Sequence, residues 1–450
     1  MKRFGRWIAV LLGTFSVALS ALPGHAKTLE VGDGKPFDRI EKANAAAKPG
    51  DVILVYPLKN QRPYERTAVF VQQRSITFRA VPGTGKSRVQ VSGKEFDFSG
   101  SGSTPRAIFQ FNRGADGCTL EGFELSGAHN ESHNGAGVRI NQANRTAIRR
   151  CAIHNNDMGV MSNGDGTANA AAEQCLEYCE IHHNGDPAEP GQNHNLYLGG
   201  TSVTLSFCEI HSSLTGHNVK SRAHQIRVQY CFIHDSANRE LDLVDSDDTA
   251  RPESHALLLG NIIVKNPQCA GNRSVMHFGQ DGGKARDGTV FAYFNTVVTP
   301  FLSPVVELSA PQAKAELVGN LIASGGAKQR NQQIAAVRAG AKIENFTGEE
   351  NWFSGDFAVP GRSGLTLQKN RFSPAKSDLF ADPAKSDYRL AEQALPEAKT
   401  TRALDQLKIP PVLALRGSDS SAPLTWQYRH PADKEKRTDA KALVIGACGN

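Results

Sequence analysis

Beyond its first two dozen residues this 450-residue chain has no long hydrophobic run. No later stretch approaches the ~20 consecutive apolar residues that a helix needs to cross a bilayer, so a membrane-spanning helical protein is excluded. Charge of one sign is lacking too: 51 Lys and Arg against 45 Asp and Glu leave a formal charge of +6. That balance is too mild for a nucleic-acid-binding surface. Aromatic residues are scarce at 7%, whereas Gly (42) and Pro (22) are plentiful, a composition that suits many short strands joined by turns.

The single apolar run, Trp7 to about Ala21, follows Lys2, Arg3 and Arg6 and precedes "LPGHA", with Gly24 and Ala26 at cleavage offsets. This predicts a cleavable signal peptide over residues 1–26 and a periplasmic or secreted protein. Its removal takes three basic residues and lowers the formal charge to +3. The 424 residues that remain are long for one globular core, a limit that repeat architectures escape because each repeat contacts only its neighbours.

The cysteines reveal such a repeat. Cys151, Cys179, Cys208 and Cys231 stand in "RRCAIHNN", "EYCEIHHN", "SFCEIHSS" and "QYCFIHDS", at intervals of 28, 29 and 23 residues. The pattern continues with Asn261, Asn295 and Asn320 in the cysteine position, and is anticipated at Phe123. Two further strand-like segments lie in each period: one as in "VTLSF" (203–207) and "IRVQY" (226–230), the other as in "GVRI" (137–140), "NLYL" (195–198), "NVKS" (218–221) and "VMHF" (275–278). Three short alternating strands per 20–35-residue period predict an all-β fold, a right-handed parallel β-helix. Stacked coils are about 4.8 Å apart, wider than the ~3.8 Å Cβ separation of a disulfide, so the four-cysteine column is expected to hold free, buried thiols. Cys118, Cys175, Cys269 and Cys448 lie outside it, where a bridge stays open. The column His154, His182, His211 and His234 reads as a structural ladder at a turn.

"TLEVGDGKPFDRIEKANAAAKPGDVILVYP" (28–57) predicts a strand, a short helix from Phe37 to Ala47 and another strand; the helix would cap the first coil. The coil pattern fades near residue 345. The expected organisation is a capped β-helix over 27–345 and an irregular segment over 346–450 packed against it. The "PFDRIEKANAAAKPGDVILVYP" opening, the "DYRL" tail and "GHNVKSRA" (216–223) resemble the pectate-lyase-like right-handed β-helix superfamily, and within it a bacterial group of exported parallel β-helix repeat proteins. The resemblance implies the fold. It leaves the reaction open, since that superfamily holds lyases, hydrolases, epimerases and binding proteins.

If Val138, Val160, Leu196, Val219, Leu241 and Met276 point inward, alternation sends Arg139, Met161, Tyr197, Lys220, Asp242 and His277 outward in one column. Asn195, Asn218 and Glu240 are expected to flank it on one side and Arg222 on the other, with His194 and His217 at the strand entrance. This set suits β-elimination of an acidic, uronate-containing polysaccharide. Arg222, or Arg239 or Arg251, would neutralise the carboxylate; Lys220, Tyr197 and His217 would supply base and acid; His194, Asn195, Asn218, Arg239, Asp242 and His277 would bind substrate. "KS" at Lys220–Ser221 is similar to the lysine motif of the alginate and chondroitin lyase family, which implies a Lys base and an Arg acid. The acidic calcium-binding cluster of that family is missing, because "SSLTGHN" (212–218) contains no carboxylate. No cofactor is required by this scheme, and the acting unit is expected to be a monomer.

"DSDDTARPESH" (245–255) is a second candidate. Asp245, Asp247 and Asp248 would hold Ca2+, or Asp242 with Asp245 or Asp247 would form the carboxylate pair of a glycoside hydrolase; a solvated loop is the plainer reading. The loops near 186–193 and 245–255 are the expected walls of a cleft. A non-catalytic glycan-binding or envelope β-helix completes the alternatives.

Overall fold

A computed structural model describes residues 26–101, 104–189, 192–284, 286–326, 330–358, 369–400, 407, 409–413, 425–437 and 444–448. Of the expected signal peptide, all but Ala26 lies outside them. The chain winds as a right-handed parallel β-helix with three long sheets of 12, 11 and 10 strands. The first sheet runs from Thr28–Val31 to Phe346–Glu349, the second from Val89–Ser92 to Arg371–Ser373, and the third from Val69–Val71 to Ala335–Val337. Within each sheet the neighbour of a strand is the equivalent strand one coil later, so all pairings are parallel and the strands continue past residue 345. Among the described residues no helix is long and apolar enough to cross a membrane.

Alternation explains the interior. In each strand the β-branched or leucine side chains face inward, as with Ile148, Leu176, Leu205, Val228 and Leu258 of the first sheet, all fully buried. Two tight corners set the cross-section. Between the first and second sheets one residue per coil takes a left-handed conformation, including Arg150, Tyr178, Phe207 and Tyr230 (φ 52–56°). The strain of a non-glycine residue there, about 1–2 kcal/mol, is offset by ring stacking: Tyr178 on Phe207 at 5.2 Å and Phe207 on Tyr230 at 5.3 Å. The second corner repeats the device at Asn155, His183, Ser212 and Asp235 (φ 51–57°).

Immediately after the first corner comes the cysteine–asparagine column. All eight cysteines are free. The thiols of Cys151, Cys179, Cys208 and Cys231 donate to carbonyls two residues back at 3.3–3.4 Å. Cys231 then hands over to asparagine: its backbone N–H donates to Asn261 Oδ1 at 2.9 Å. Asn261, Asn295, Asn320, Asn351 and Asn370 follow in a chain of side-chain amide bonds of 2.9–3.0 Å, each Oδ1 also accepting the backbone N–H of the coil before.

The ends are closed differently. The helix Ile40–Ala46 buries Ile40 and Ala43 against the first coils, shorter at its start than the sequence pattern suggests. The hairpin of Trp426–Arg429 and Asp433–Lys436 lies along the outer faces of the first and second sheets. Tyr428 Oη donates to Glu209 at 3.1 Å, and Arg227 donates to the Leu413 carbonyl at 2.6 Å. These contacts, among the described residues, leave the outer face of the third sheet to other occupants.

Replacing Asn320 by Ala strips the acceptor from the Asn295 backbone N–H and side chain, both buried. Leaving such groups unsatisfied costs about 1–3 kcal/mol apiece. Asn320→Ala should therefore lower the unfolding free energy measured by urea titration by about 2 kcal/mol or more, whereas Asn130→Ala, outside the column, should lower it less.

Candidate functional site

The third sheet aligns Met161, Tyr197, Lys220, Asp242, His277 and Glu307 as direct neighbours on strands 158–163, 196–198, 219–221, 241–244, 276–279 and 306–309. Val219 and Ser221, either side of Lys220, are fully buried, so the lysine faces outward, as alternation requires. It is not freely exposed: only 9% of its surface meets solvent, because a neighbouring segment lies over it.

Asp242 is the hub. Its carboxylate is 2% exposed and faces four basic side chains: His277 Nδ1 at 2.9 Å, Lys220 Nζ at 3.2 Å, His217 Nε2 at 3.4 Å and Arg239 Nη1 at 3.4 Å. Burial opposes its charge, yet His217, His277 and Lys220 outweigh that penalty and hold the carboxyl well below the usual carboxylate range. His277 continues the network through Nε2 to Ser309 Oγ at 2.5 Å. Arg239 is clamped by Ser274 Oγ at 2.9 Å and Glu307 at 3.4 Å, and Glu307 also pairs with Arg338.

On the other side, His194 and His217 stack at 5.1 Å, and His194 stacks on Tyr197 at 5.5 Å. The His217 backbone N–H donates to His194 Nδ1 at 3.0 Å. Glycine before His217 is required here: a Cβ on Gly216 would overlap the Asn193 carbonyl and the His194 ring. Burial pushes His194 well below its ordinary value and His217 down to about 4, against the pull of Asp242. His217 Nδ1 is buried with no partner.

Arg222 reaches across the coils. Its Nε donates to Tyr197 Oη at 2.9 Å, its Nη1 to the Asp245 carbonyl, and its Nη2 to Asp281 Oδ2 at 2.6 Å. The same Asp281 oxygen accepts from Lys220 Nζ at 3.0 Å. Asp281 was not singled out by sequence, since it sits in "GQDGGK" (279–284), outside the repeat; only the glycine richness of that stretch hints at a tight turn. The segment is pinned by Asp245, whose carboxylate accepts the backbone N–H groups of Asp281 at 2.6 Å, Gly282 at 2.7 Å and Lys284.

Two expectations need correction. Asn195 and Asn218 do not flank the column on the outside; both are fully buried. At the second corner the chain turns before alternation begins, and their amides point inward to form a second ladder. Asn156, Asn184, Asn195, Asn218 and Glu240 are joined in order by bonds of 3.1, 2.9, 2.8 and 2.6 Å. The calcium expectation also fails on geometry. Asp245 is sealed by amide donors, Asp248 accepts from Gly166 N at 2.9 Å and Gly200 N at 2.8 Å, and Asp247 pairs outside with Lys284 at 3.0 Å. Oxygens already taken by N–H groups and turned to different neighbours do not fit an ion that takes six to eight free oxygens. For the same reason Asp245 does not offer a carboxylate to pair with Asp242. Arg251 bonds to the Asp248 carbonyl at 3.4 Å, away from the column. Covering the column is the 279–284 segment; the 186–189 loop instead meets His133, through Asp186 at 2.5 Å.

Several solved structures are similar to this chain at low identity. Pectate lyase Pel9A aligns over 94% of this chain and 96% of its own, with 14% identity and a TM-score of 0.47. An alginate lyase from Paenibacillus sp. str. FPU-7 aligns over 77% and 99%, with 15% identity and a TM-score of 0.39. An α-1,3-glucanase from Streptomyces thermodiastaticus aligns over 80% and 70%, with 12% identity and a TM-score of 0.47. No protein-family model matches the sequence, and no curated protein matches it.

Glu240, the terminus of the second ladder, carries a consequence for pH. Burial pushes its carboxyl up to about 7, although Lys265, the Ser236 N–H and Asn218 pull the other way. The folded state thus binds a proton more tightly than the unfolded chain. Its contribution to stability is present below about pH 4.5 and is lost as pH rises through about 7,. The stability difference between the native chain and Glu240→Gln should shrink or reverse across that window, by a few kcal/mol at most. Unfolding titrations at pH 4.5 and 7.5 provide the measurement.

Proposed function

We propose that this protein is a carbohydrate-active β-helix that cleaves an acidic, uronate-containing polysaccharide by β-elimination on the outer face of the third sheet. One observation carries the reading: Lys220 Nζ and Arg222 Nη2 converge on a single carboxylate oxygen, that of Asp281, at 3.0 and 2.6 Å. Two cations from one segment, Lys220 in strand Val219–Ser221 and Arg222 just after it, focused on one acceptor form the receptor that a sugar carboxylate needs, and Asp281 stands where that carboxylate would sit. Neutralising the carboxylate acidifies the adjacent C–H, the hardest part of the reaction.

Lys220 acts here as a cation. An ammonium that donates to Asp242 and Asp281 together has no lone pair to offer, which moves it from base to carboxylate binder. Tyr197 is left as the proton-transfer group. Its Oη accepts from Arg222 Nε, a bond that strengthens as the oxygen gains negative charge. In the step proposed, Tyr197 first gives its phenolic proton to solvent; its oxygen then takes the proton alpha to the carboxylate, the C–H electron pair becomes the C4=C5 double bond, and the glycosidic C4–O bond breaks with its pair on the leaving oxygen. The leaving oxygen then recovers the proton from Tyr197. His217, His277 and Arg239 act through Asp242, keeping it charged and aimed at Lys220, while His194 supports the Tyr197 ring.

Incubation with a panel of polyuronates should raise ultraviolet absorbance from the unsaturated product. Tyr197→Phe should lose about 10²–10⁴-fold in kcat, the span of a general acid–base contribution, and Lys220→Ala and Arg222→Ala should lose a similar factor in kcat/KM. Release of reducing ends without absorbance would make the protein a hydrolase and sink the elimination mechanism. Altered sugar composition without cleavage would indicate epimerisation, and binding without turnover a glycan-binding role.

Asp281→Ala separates occupancy from catalysis. With the internal carboxylate gone, the two cations are free to meet the substrate, and KM for a polyuronate should fall several-fold. An unchanged KM would mean that Asp281 and the substrate carboxylate do not share a position.

A further inference from the structure

The outer face of the second sheet carries a cluster that the proposed reaction does not use. His154, His182, His211 and His234 occupy equivalent positions on four successive strands, with rings stacked at 4.9, 4.9 and 4.8 Å. The outer two are committed elsewhere: His154 Nε2 meets Glu124 at 3.3 Å, and His234 bridges Asp235 at 2.8 Å and Glu209 at 3.4 Å.

The middle two differ. His183 follows His182 in the left-handed corner and turns its ring edge-on at 4.9 Å, which brings the two Nδ1 atoms to 2.7 Å. With the shared proton on His182 Nδ1 and donated to His183, His182 Nε2 keeps its lone pair. That nitrogen lies 3.8 Å from Glu180 Oε1, two residues back on the same face. His211 Nδ1 similarly meets Ser212 Oγ at 3.0 Å, so donation there frees its Nε2. One ligating atom from each of Glu180, His182 and His211 lies within 4.8 Å of the others.

We propose that Glu180, His182 and His211 bind a borderline divalent transition ion of the Zn2+ type, with His183 and Ser212 as positioning residues. Two imidazoles and a carboxylate match Zn2+ in softness better than Ca2+ or Mg2+, which prefer oxygen throughout. Bonds of about 2.0–2.2 Å require the three donors to close inward. Side-chain torsions supply this movement, since the backbones are held at the sheet spacing of about 4.8 Å. Partners on the far nitrogen of each imidazole orient ligands in known metal sites, and His183 and Ser212 provide them here. Arg88, 3.7 Å from the second Glu180 oxygen, and Glu209 beside His234 set the surrounding charge.

The test uses the full chain without a polyhistidine tag, stripped with chelator, titrated with Zn2+ by calorimetry and with Co2+ by visible absorption. One ion per chain and a ligand-field spectrum are expected. His182→Ala and His211→Ala should each weaken Zn2+ binding by at least about 100-fold, and His183→Ala by about 10–100-fold, the range for a positioning partner. Glu180→Gln, nearly isosteric and on the surface, guards against misfolding and should weaken binding while leaving the circular dichroism unchanged. His154→Gln should leave it intact. No Zn2+ heat together with no Co2+ spectrum, or undiminished binding in both His182→Ala and His211→Ala, overturns the site.

Discussion

Parallel, in-register stacking of successive coils is the constraint from which the other features descend. The side-chain period of a strand is two, so a slip of one residue between coils would exchange every inward side chain for an outward one. The interior ladders hold the register. Each asparagine of the 261–370 column accepts the backbone N–H of the coil before, and all but the last, Asn370, donate the amide to the next side chain, so an offset coil would break two buried bonds at once. Residues as distant in sequence as Tyr197 and Glu307 share one flank only because that register holds over five strands.

On that flank a single buried charge organises the polar groups. Taking a carboxylate out of water is costly unless its oxygens are fully occupied, and Asp242 meets the condition by drawing in two histidines, a lysine and an arginine. The result is a preorganised set: Lys220 is held between Asp242 and Asp281, Arg222 between Asp281 and Tyr197, Arg239 between Asp242 and Glu307. In the reaction proposed, groups already fixed by mutual pairing would need little reorganisation as charge develops.

How much of this was legible in the sequence follows from which parts repeat. The Cys151–Cys231 spacing and its continuation at Asn261 disclosed the coil, and alternation about Val219 placed Tyr197, Lys220, Asp242 and His277 as neighbours. Alternation misled at the corner, where Asn195 and Asn218 precede the first regular strand residue and turn inward to a ladder that only three-dimensional stacking creates. Asp281 was invisible because its segment has no counterpart in other coils. The carboxylates at 245–248 read as a solvated loop or a cation site from composition alone; the partners of Asp245 and Asp248 are backbone N–H groups of segments up to 82 residues away, which no local pattern encodes.

Successive coils differ in length, from 19 residues between Asn351 and Asn370 to 34 between Asn261 and Asn295, yet the rungs remain in step. The surplus is confined to excursions between rungs, such as the 279–288 stretch between Met276–Gly279 and Thr289–Tyr293. The stacking of the rungs therefore does not depend on how long an excursion is, and a lengthened or shortened excursion changes what covers the flank while the wound core stays in step.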